Sequence, residues 1–196
     1  MQRTAIVTGT SSGLGADLAA ALINQGYQVI GVSRSPSDLL AAYRANFTEI
    51  LGDIADAETC GRAVAAAKSA GRYELLINCA GMGIFGAPGT AMPDAVKACI
   101  NTNLTGLIMM SEASVSELTA SGGTLVNIAS TAGLKAKANE AIYCAAKWGV
   151  RGYTDSLKLE CKGSDLRVIG VYPGGMKTAF WAETEHTKGV RDGFMD

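Results

Sequence analysis

The chain has 196 residues, 48% of them hydrophobic and 18% charged, a balance suited to one well-cored globular domain and contrary to intrinsic disorder. Its 17 Lys and Arg against 18 Asp and Glu leave a formal net charge of −1 with no basic block, which argues against nucleic acid as a partner. The five cysteines fall in no CxxC pair and there is a single histidine, so no metal site is predicted and the thiols read as buried residues in a reducing compartment.

Along the chain, short β-branched or apolar runs at Ala5–Thr8, Gln28–Val32, Thr48–Leu51, Leu75–Asn78, Thr124–Ile128 and Val168–Tyr172 predict strands. Their nearly continuous hydrophobicity is that of parallel strands covered on both faces. Alanine-rich segments between them predict helices over Leu14–Gln25, Ser37–Arg44, Ala57–Ala70, Ala91–Leu118 with a break near Asn103, and Glu140–Cys161. Repeated strand–helix–strand units of this kind make an α/β fold, a doubly wound parallel sheet with helices on both faces. No repeat, low-complexity segment or linker interrupts it, so residues 1–196 read as a single domain. The apolar run at the N-terminus is too short for a signal peptide, and no stretch approaches the ~20 apolar residues of a membrane span. A cytoplasmic protein with no membrane partner is predicted.

The first strand runs into Thr8-Gly9-Thr10-Ser11-Ser12-Gly13-Leu14-Gly15. Glycines between a strand and a helix allow a tight turn and close approach of backbone to a pyrophosphate, which the helix N-terminus then attracts. The G-x-x-x-G-x-G spacing differs from G-x-G-x-x-G, and a purely structural turn would also use glycines; the position after the first strand favours a dinucleotide. Gly9, Ser11, Ser12, Gly13, Leu14 and Gly15 are therefore candidate cofactor contacts. At the end of the second strand stand Ser33 and Arg34, where an NAD site would carry a carboxylate for the ribose 2′-hydroxyl. A guanidinium there can hold a 2′-phosphate, so NADP(H) is favoured over NAD(H); the alternative is an exposed loop arginine with Asp38 starting the next helix.

Tyr143 and Lys147 are four residues apart in a helical segment and so share one face. A nearby cation would lower the phenol's pKa toward working pH and make it a general acid or base. Such a pair also arises by chance, but Ser130 ends the strand Thr124–Ile128 nearby, at the edge where open α/β sheets bind ligands. Its hydroxyl could donate to a substrate oxygen.

Taken together, Thr8-Gly9-x-x-x-Gly13-x-Gly15, Asn78-Cys79-Ala80-Gly81, Asn103, Ser130, Tyr143-x-x-x-Lys147 and Pro173-Gly174 appear in an order that resembles the short-chain dehydrogenase/reductase family in its ordinary form. The family's Asn-Asn-Ala-Gly motif is altered here at Cys79. The resemblance implies an oxidoreductase moving a hydride between NADP(H) and a carbonyl or alcohol. Tyr143 would move the proton, Lys147 would hold the nicotinamide ribose, Ser130 would orient the substrate oxygen, and Asn103 would support a water relay. It further implies cofactor contacts from Asp53 with Ile54, from Asn78, Ala80 and Gly81, and from Pro173, Gly174 and Thr178. A homodimer or homotetramer is implied by the helix carrying Ala141, Ala145, Ala146, Gly149 and Gly152. The chain is short for that family, which would continue past Asp196 through a helix and a final strand, so the final strand is expected to be absent here. A cofactor-binding sensor or scaffold without turnover is the competing reading.

Three further features are expected to be structural or open. Cys79 and Cys144 read as packing thiols, since no histidine accompanies them. His186 reads as a solvated residue of a polar tail. Phe180 and Trp181 could line a substrate pocket or serve a local core.

Overall fold

The computed structural model describes residues 1–178, 180 and 181. The expectations about His186 and the chain's last residues fall outside these. Six strands, β1 (Arg3–Thr8), β2 (Gln28–Ser33), β3 (Phe47–Leu51), β4 (Arg72–Asn78), β5 (Thr124–Ile128) and β6 (Arg167–Val171), form one sheet of order β3-β2-β1-β4-β5-β6. All pairs are parallel. The helices are α1 (Gly13–Asn24), α2 (Leu39–Ala42), α3 (Ala57–Ala70), α4 (Pro93–Ile100), α5 (Gly106–Ser121) and α6 (Ala141–Glu160).

Alternate residues of the central strands feed two cores, as a pleated sheet covered on both faces requires. Ile6, Ile30 and Leu76 face a core shared with α3 and α5, whereas their neighbours Val7, Val29 and Ile77 pack with Ala19 and Ile23 of α1. The continuous apolar reading of these strands thus follows from burial on both sides.

Several element bounds differ from the sequence expectations, and four of the differences have a visible cause or consequence. Strand β4 begins three residues early, at Arg72, because Glu74 is held by Arg72 at 3.5 Å and by the Tyr27 hydroxyl at 3.1 Å; polar residues extend the strand where its end meets water. Helix α2 is confined to Leu39–Ala42. Ser37 cannot join it, since its hydroxyl donates to Thr10 O (2.8 Å) and its N–H to Glu49 Oε1 (2.6 Å). The long helical segment starts at Pro93, which suits a first helical position. Near Asn103 it does not break: a π-helical turn, Asn101–Thr105, carries α4 directly into α5.

Candidate active site

The winding reverses between β1 and β4, and beyond the carboxyl ends of these strands lies a cleft of about 420 Å³. This is the crevice where open parallel sheets take ligands.

One side of the cleft is backbone. The Gly9 N–H donates to Val32 O at 2.7 Å, with Gly9 at φ +79°. A Cβ on Gly9 would lie 2.8 Å from Ala80 Cα, and one on Gly15 would lie 2.2 Å from Gly9 O. Only glycine fits both positions. Thr8 Oγ1 accepts the N–H groups of Cys79 and Ala80, both at 3.0 Å, and so ties the turn to the end of β4. Ser12 precedes α1 with an extended backbone and caps nothing with its side chain, and the first turn of α1 has no acidic residue. The opening N–H groups of α1 are thereby left for an external anion. Ser11, Ser12, Gly13, Leu14 and Gly15 all line the cleft. The cradle fits a dinucleotide pyrophosphate.

Farther along, Ser33 and Arg34 line the cleft from the end of β2, and Asp53 and Ile54 from the end of β3. The Ser33 hydroxyl donates to Ser35 O at 2.7 Å, and Asp53 Oδ1 accepts the Ala55 N–H at 2.9 Å. Ala80 and Gly81 line it as expected, but Asn78 does not. Its amide turns inward and donates to Ser111 Oγ (2.9 Å) and Asn127 Oδ1 (3.0 Å). Asn127 donates in turn to Thr154 Oγ1 (3.0 Å), whose hydroxyl reaches Val150 O (2.6 Å). Asn78 therefore supports the wall from behind, and Cys79 is the residue that faces the cleft.

The opposite side is built from side chains. Ser130 follows β5 and caps a short 3₁₀ turn, Thr131–Gly133, its Oγ accepting the Ala132 N–H at 3.1 Å. Ser130 and Tyr143 both line the cleft, and the nearby Ser130 hydroxyl favours the Tyr143 phenolate. Tyr143 and Lys147, one turn apart on α6, are 6% and 4% exposed. The Lys147 ammonium donates to Ile128 O at 3.0 Å and lies 5.7 Å from the Tyr143 ring centroid.

Here the electrostatics correct the sequence reading. Burial pushes the Tyr143 phenol well above the ordinary phenol range; the Ser130 hydroxyl opposes this, while Glu140, Cys99 and Cys144 add to it. The expected lowering by Lys147 is not found. Its ammonium points at a backbone carbonyl, and burial lowers its own pKa to about 8. The phenol is thus held protonated at neutral pH. Burial pushes the Cys79 thiol up to about 11 against the pull of Lys147, which leaves little thiolate at neutral pH.

Asn103 sits in the π turn and does not line the cleft. Its Nδ2 donates to Met82 O (2.7 Å) and Cys99 O (2.9 Å), and its Oδ1 accepts the Met82 N–H (3.3 Å). Gly81 lies between it and Lys147: a Cβ there would be 3.0 Å from Asn103 Oδ1 and 3.9 Å from Lys147 Nζ. Pro173, Gly174 and Thr178 line the cleft from beyond β6, with Pro173 O accepting the Thr131 N–H at 2.9 Å. Phe180 and Trp181 line it too. With Phe85 they surround the phenol: Tyr143 lies 5.9 Å from Phe85 and 5.8 Å from Phe180 by ring centroids, and Phe85 stacks on Trp181 at 5.0 Å.

Sequence reasoning missed the strut made by Thr8, although the residue belongs to the glycine motif. It also missed Lys137, which lines the cleft from an irregular loop where no periodicity marks a direction.

A profile of the short chain dehydrogenase family matches residues 3–189. The chain is 34% identical over 176 residues to a 3-ketodihydrosphingosine reductase of Bacteroides thetaiotaomicron, a match covering 89% of this chain and 64% of that protein. It is 32% identical over 206 residues to a trans-4-hydroxycyclohexanecarboxylate dehydrogenase of Sinomonas cyclohexanicum, covering 98% of this chain and 77% of that one. Among solved structures, a short-chain dehydrogenase from Streptomyces avermitilis superposes with a TM-score of 0.84 at 28% identity, covering 94% of this chain and 70% of that one. An actinorhodin polyketide ketoreductase with NADPH gives the same TM-score and identity over 97% of this chain and 75% of its own. The chain therefore belongs to the short-chain dehydrogenase family.

Proposed function

We propose that the chain is a single dinucleotide-binding domain that interconverts a small-molecule carbonyl and alcohol, with Tyr143 moving the proton and NADP(H) preferred over NAD(H). The observation that carries this reading is the gathering of Ser130, Tyr143 and Lys147 in one cleft with the glycine cradle. When bound, the nicotinamide cofactor supplies the hydride. The chain's own part is proton management and placement. Tyr143, protonated at neutral pH, donates from its Oη to a carbonyl oxygen. Ser130 donates its O–H to that same oxygen as charge develops on it. Lys147, anchored on Ile128 O, stands ready for a ribose hydroxyl, and Asn103 holds the backbone around Gly81 between them.

Arg34 supports the NADP(H) preference, since it lines the cleft at the end of β2 where no carboxylate competes. Direct titration is expected to show NADPH binding at least about tenfold more tightly than NADH, the worth of one charge-assisted pair; equal affinities would remove this preference. The exposed face of α6 carries Ala141, Ala145 and Gly152 beside Trp148. It supports a homo-oligomer, whereas Ala146 is buried and Gly149 packs on Leu104. A cytoplasmic setting accords with unpaired thiols; among the described residues, no helix is long and apolar enough to cross a membrane. The test of function is a steady-state assay of NADPH consumption over a panel of ketones and aldehydes. Tight NADPH binding with no turnover of any of them would favour the sensor or scaffold reading instead.

A further inference from the structure

In the loop between the 3₁₀ turn and α6, Leu134, Lys135, Ala136, Ala138 and Asn139 are exposed, whereas Lys137 is drawn in. Its side chain is 27% exposed and lines the cleft together with Ser130 and Tyr143. Lysine ordinarily keeps its ammonium in water, so an inward lysine beside a reaction centre calls for a reason.

Among the described residues, the charged side chains lining the cleft are Arg34, Asp53, Lys137 and Lys147. Arg34 and Asp53 stand at the far side, beyond β2 and β3, and the Lys147 ammonium is committed to Ile128 O. Lys137 is the charge left on the Tyr143 side. Its counter-charge, Glu140, lies 3.9 Å away, too far for a hydrogen bond. Glu140 Oε2 is itself buried with no hydrogen-bond partner among the described residues, and burial raises the carboxyl's pKa against the pull of Lys137. The ammonium therefore has donors to spare, in a cleft whose lining also includes Met82, Tyr143, Phe180 and Trp181.

We infer that Lys137 is a specificity-determining residue that selects carbonyl substrates carrying a carboxylate on an apolar or aromatic body. The inference rests on the reading of Tyr143 as the proton donor. A lone ammonium is a point charge that pairs with a single oxyanion and needs no arginine fork, and the aromatic lining suits a flat apolar body.

The probes are acetophenone and the three acetylbenzoates, which differ from it by one carboxylate. With NADPH and the full chain, the best acetylbenzoate is expected to exceed acetophenone in kcat/KM by about tenfold or more, the worth of one charge-assisted hydrogen bond. Lys137→Met is expected to shrink that ratio by about tenfold, chiefly through KM, and Lys137→Arg to retain most of it. A ratio at or below one in the wild type, or one unchanged in Lys137→Met, overturns the inference. Calorimetric titration of the same compounds into the NADPH-loaded chain separates this from the parent reading. Lys137-dependent acetylbenzoate binding without turnover of any ketone refutes the catalytic reading and leaves the anion site standing. Turnover of acetophenone with no advantage from the carboxylate in either measurement refutes the anion site alone. Neither binding nor turnover refutes both.

Discussion

The glycine turn between β1 and α1 presents backbone to the cleft, whereas the α6 wall presents buried polar side chains. At the turn, shape decides: Gly9 and Gly15 leave no room for a Cβ, and the unpaired donors are main-chain N–H groups. At the α6 wall, chemistry decides: Ser130, Tyr143 and Lys147 sit out of water, and burial displaces the proton affinities of Tyr143 and Lys147. The first surface can be damaged only by adding atoms and the second by removing them. Binding and turnover should therefore be separable by mutation.

The sharpest separation comes from Tyr143→Phe, which deletes one oxygen and keeps the ring against Phe85 and Phe180. Turnover is expected to fall by about 10²–10⁴-fold with NADPH affinity nearly intact; unimpaired turnover would remove Tyr143 from the mechanism. The converse variant is Gly9→Ala, in which φ +79° and the 2.8 Å approach to Ala80 Cα act together. Left-handed strain alone costs roughly 1–2 kcal/mol, and the overlap adds to it. Fluorescence titration should show NADPH affinity reduced by more than about tenfold, the equivalent of 1.4 kcal/mol. Retained affinity would mean the turn does not cradle the cofactor.

A third variant tests whether the α6 wall depends on the polar chain behind it. Thr154→Val removes the acceptor of the Asn127 amide and the donor to Val150 O. Leaving that buried amide unpaired is expected to cost about 1–3 kcal/mol in urea unfolding. A loss under about 0.5 kcal/mol, the level of an ordinary surface change, would show the chain to be dispensable.

The smallest effect concerns pH. Burial lowers Lys147 to about 8 in the folded chain, against 10.5 for a lysine in water, so above pH 8 the unfolded chain binds the extra proton. The cost of burying the charge is full below pH 8 and is relieved as pH rises toward 10.5. Cys60 and Cys79, raised to about 11 from 9.0, act in the opposite sense above pH 9. The window in which Lys147 acts unopposed by them is thus pH 8 to 9. There the wild type should gain stability relative to Lys147→Met in parallel chemical denaturations; a constant difference across that window would contradict the buried-lysine account.

Much of this was legible in the residues themselves. All six strands were marked by apolar runs because the sheet is covered on both faces, and β5, read as Thr124–Ile128, matches to the residue. The glycine turn was legible because its glycines answer to local geometry. Asn78 was expected as a contact because sequence order places it beside the cofactor motif; order says nothing of which way its amide turns, and here it turns away from the cleft. The proton affinity of Tyr143 was misread for a related reason. Spacing puts Lys147 on the same face, but burial outweighs a cation aimed elsewhere. Lys137 left no mark at all, since loops carry no periodicity from which orientation could be read.

The π turn at Asn101–Thr105 bears on how such a chain tolerates change. It makes room for one residue more than an α-helix of the same span would hold, and Asn103 sits within it. A deletion of a single position there would let α4 and α5 fuse into one regular helix, with every intrahelical bond in register. The residues after it would keep their phase, since the wide turn already absorbs the extra position, but the placement that holds the Asn103 amide on Met82 would be lost. The more uniform helix would be the poorer scaffold, so selection against indels should be most severe at the spot where the backbone is least regular.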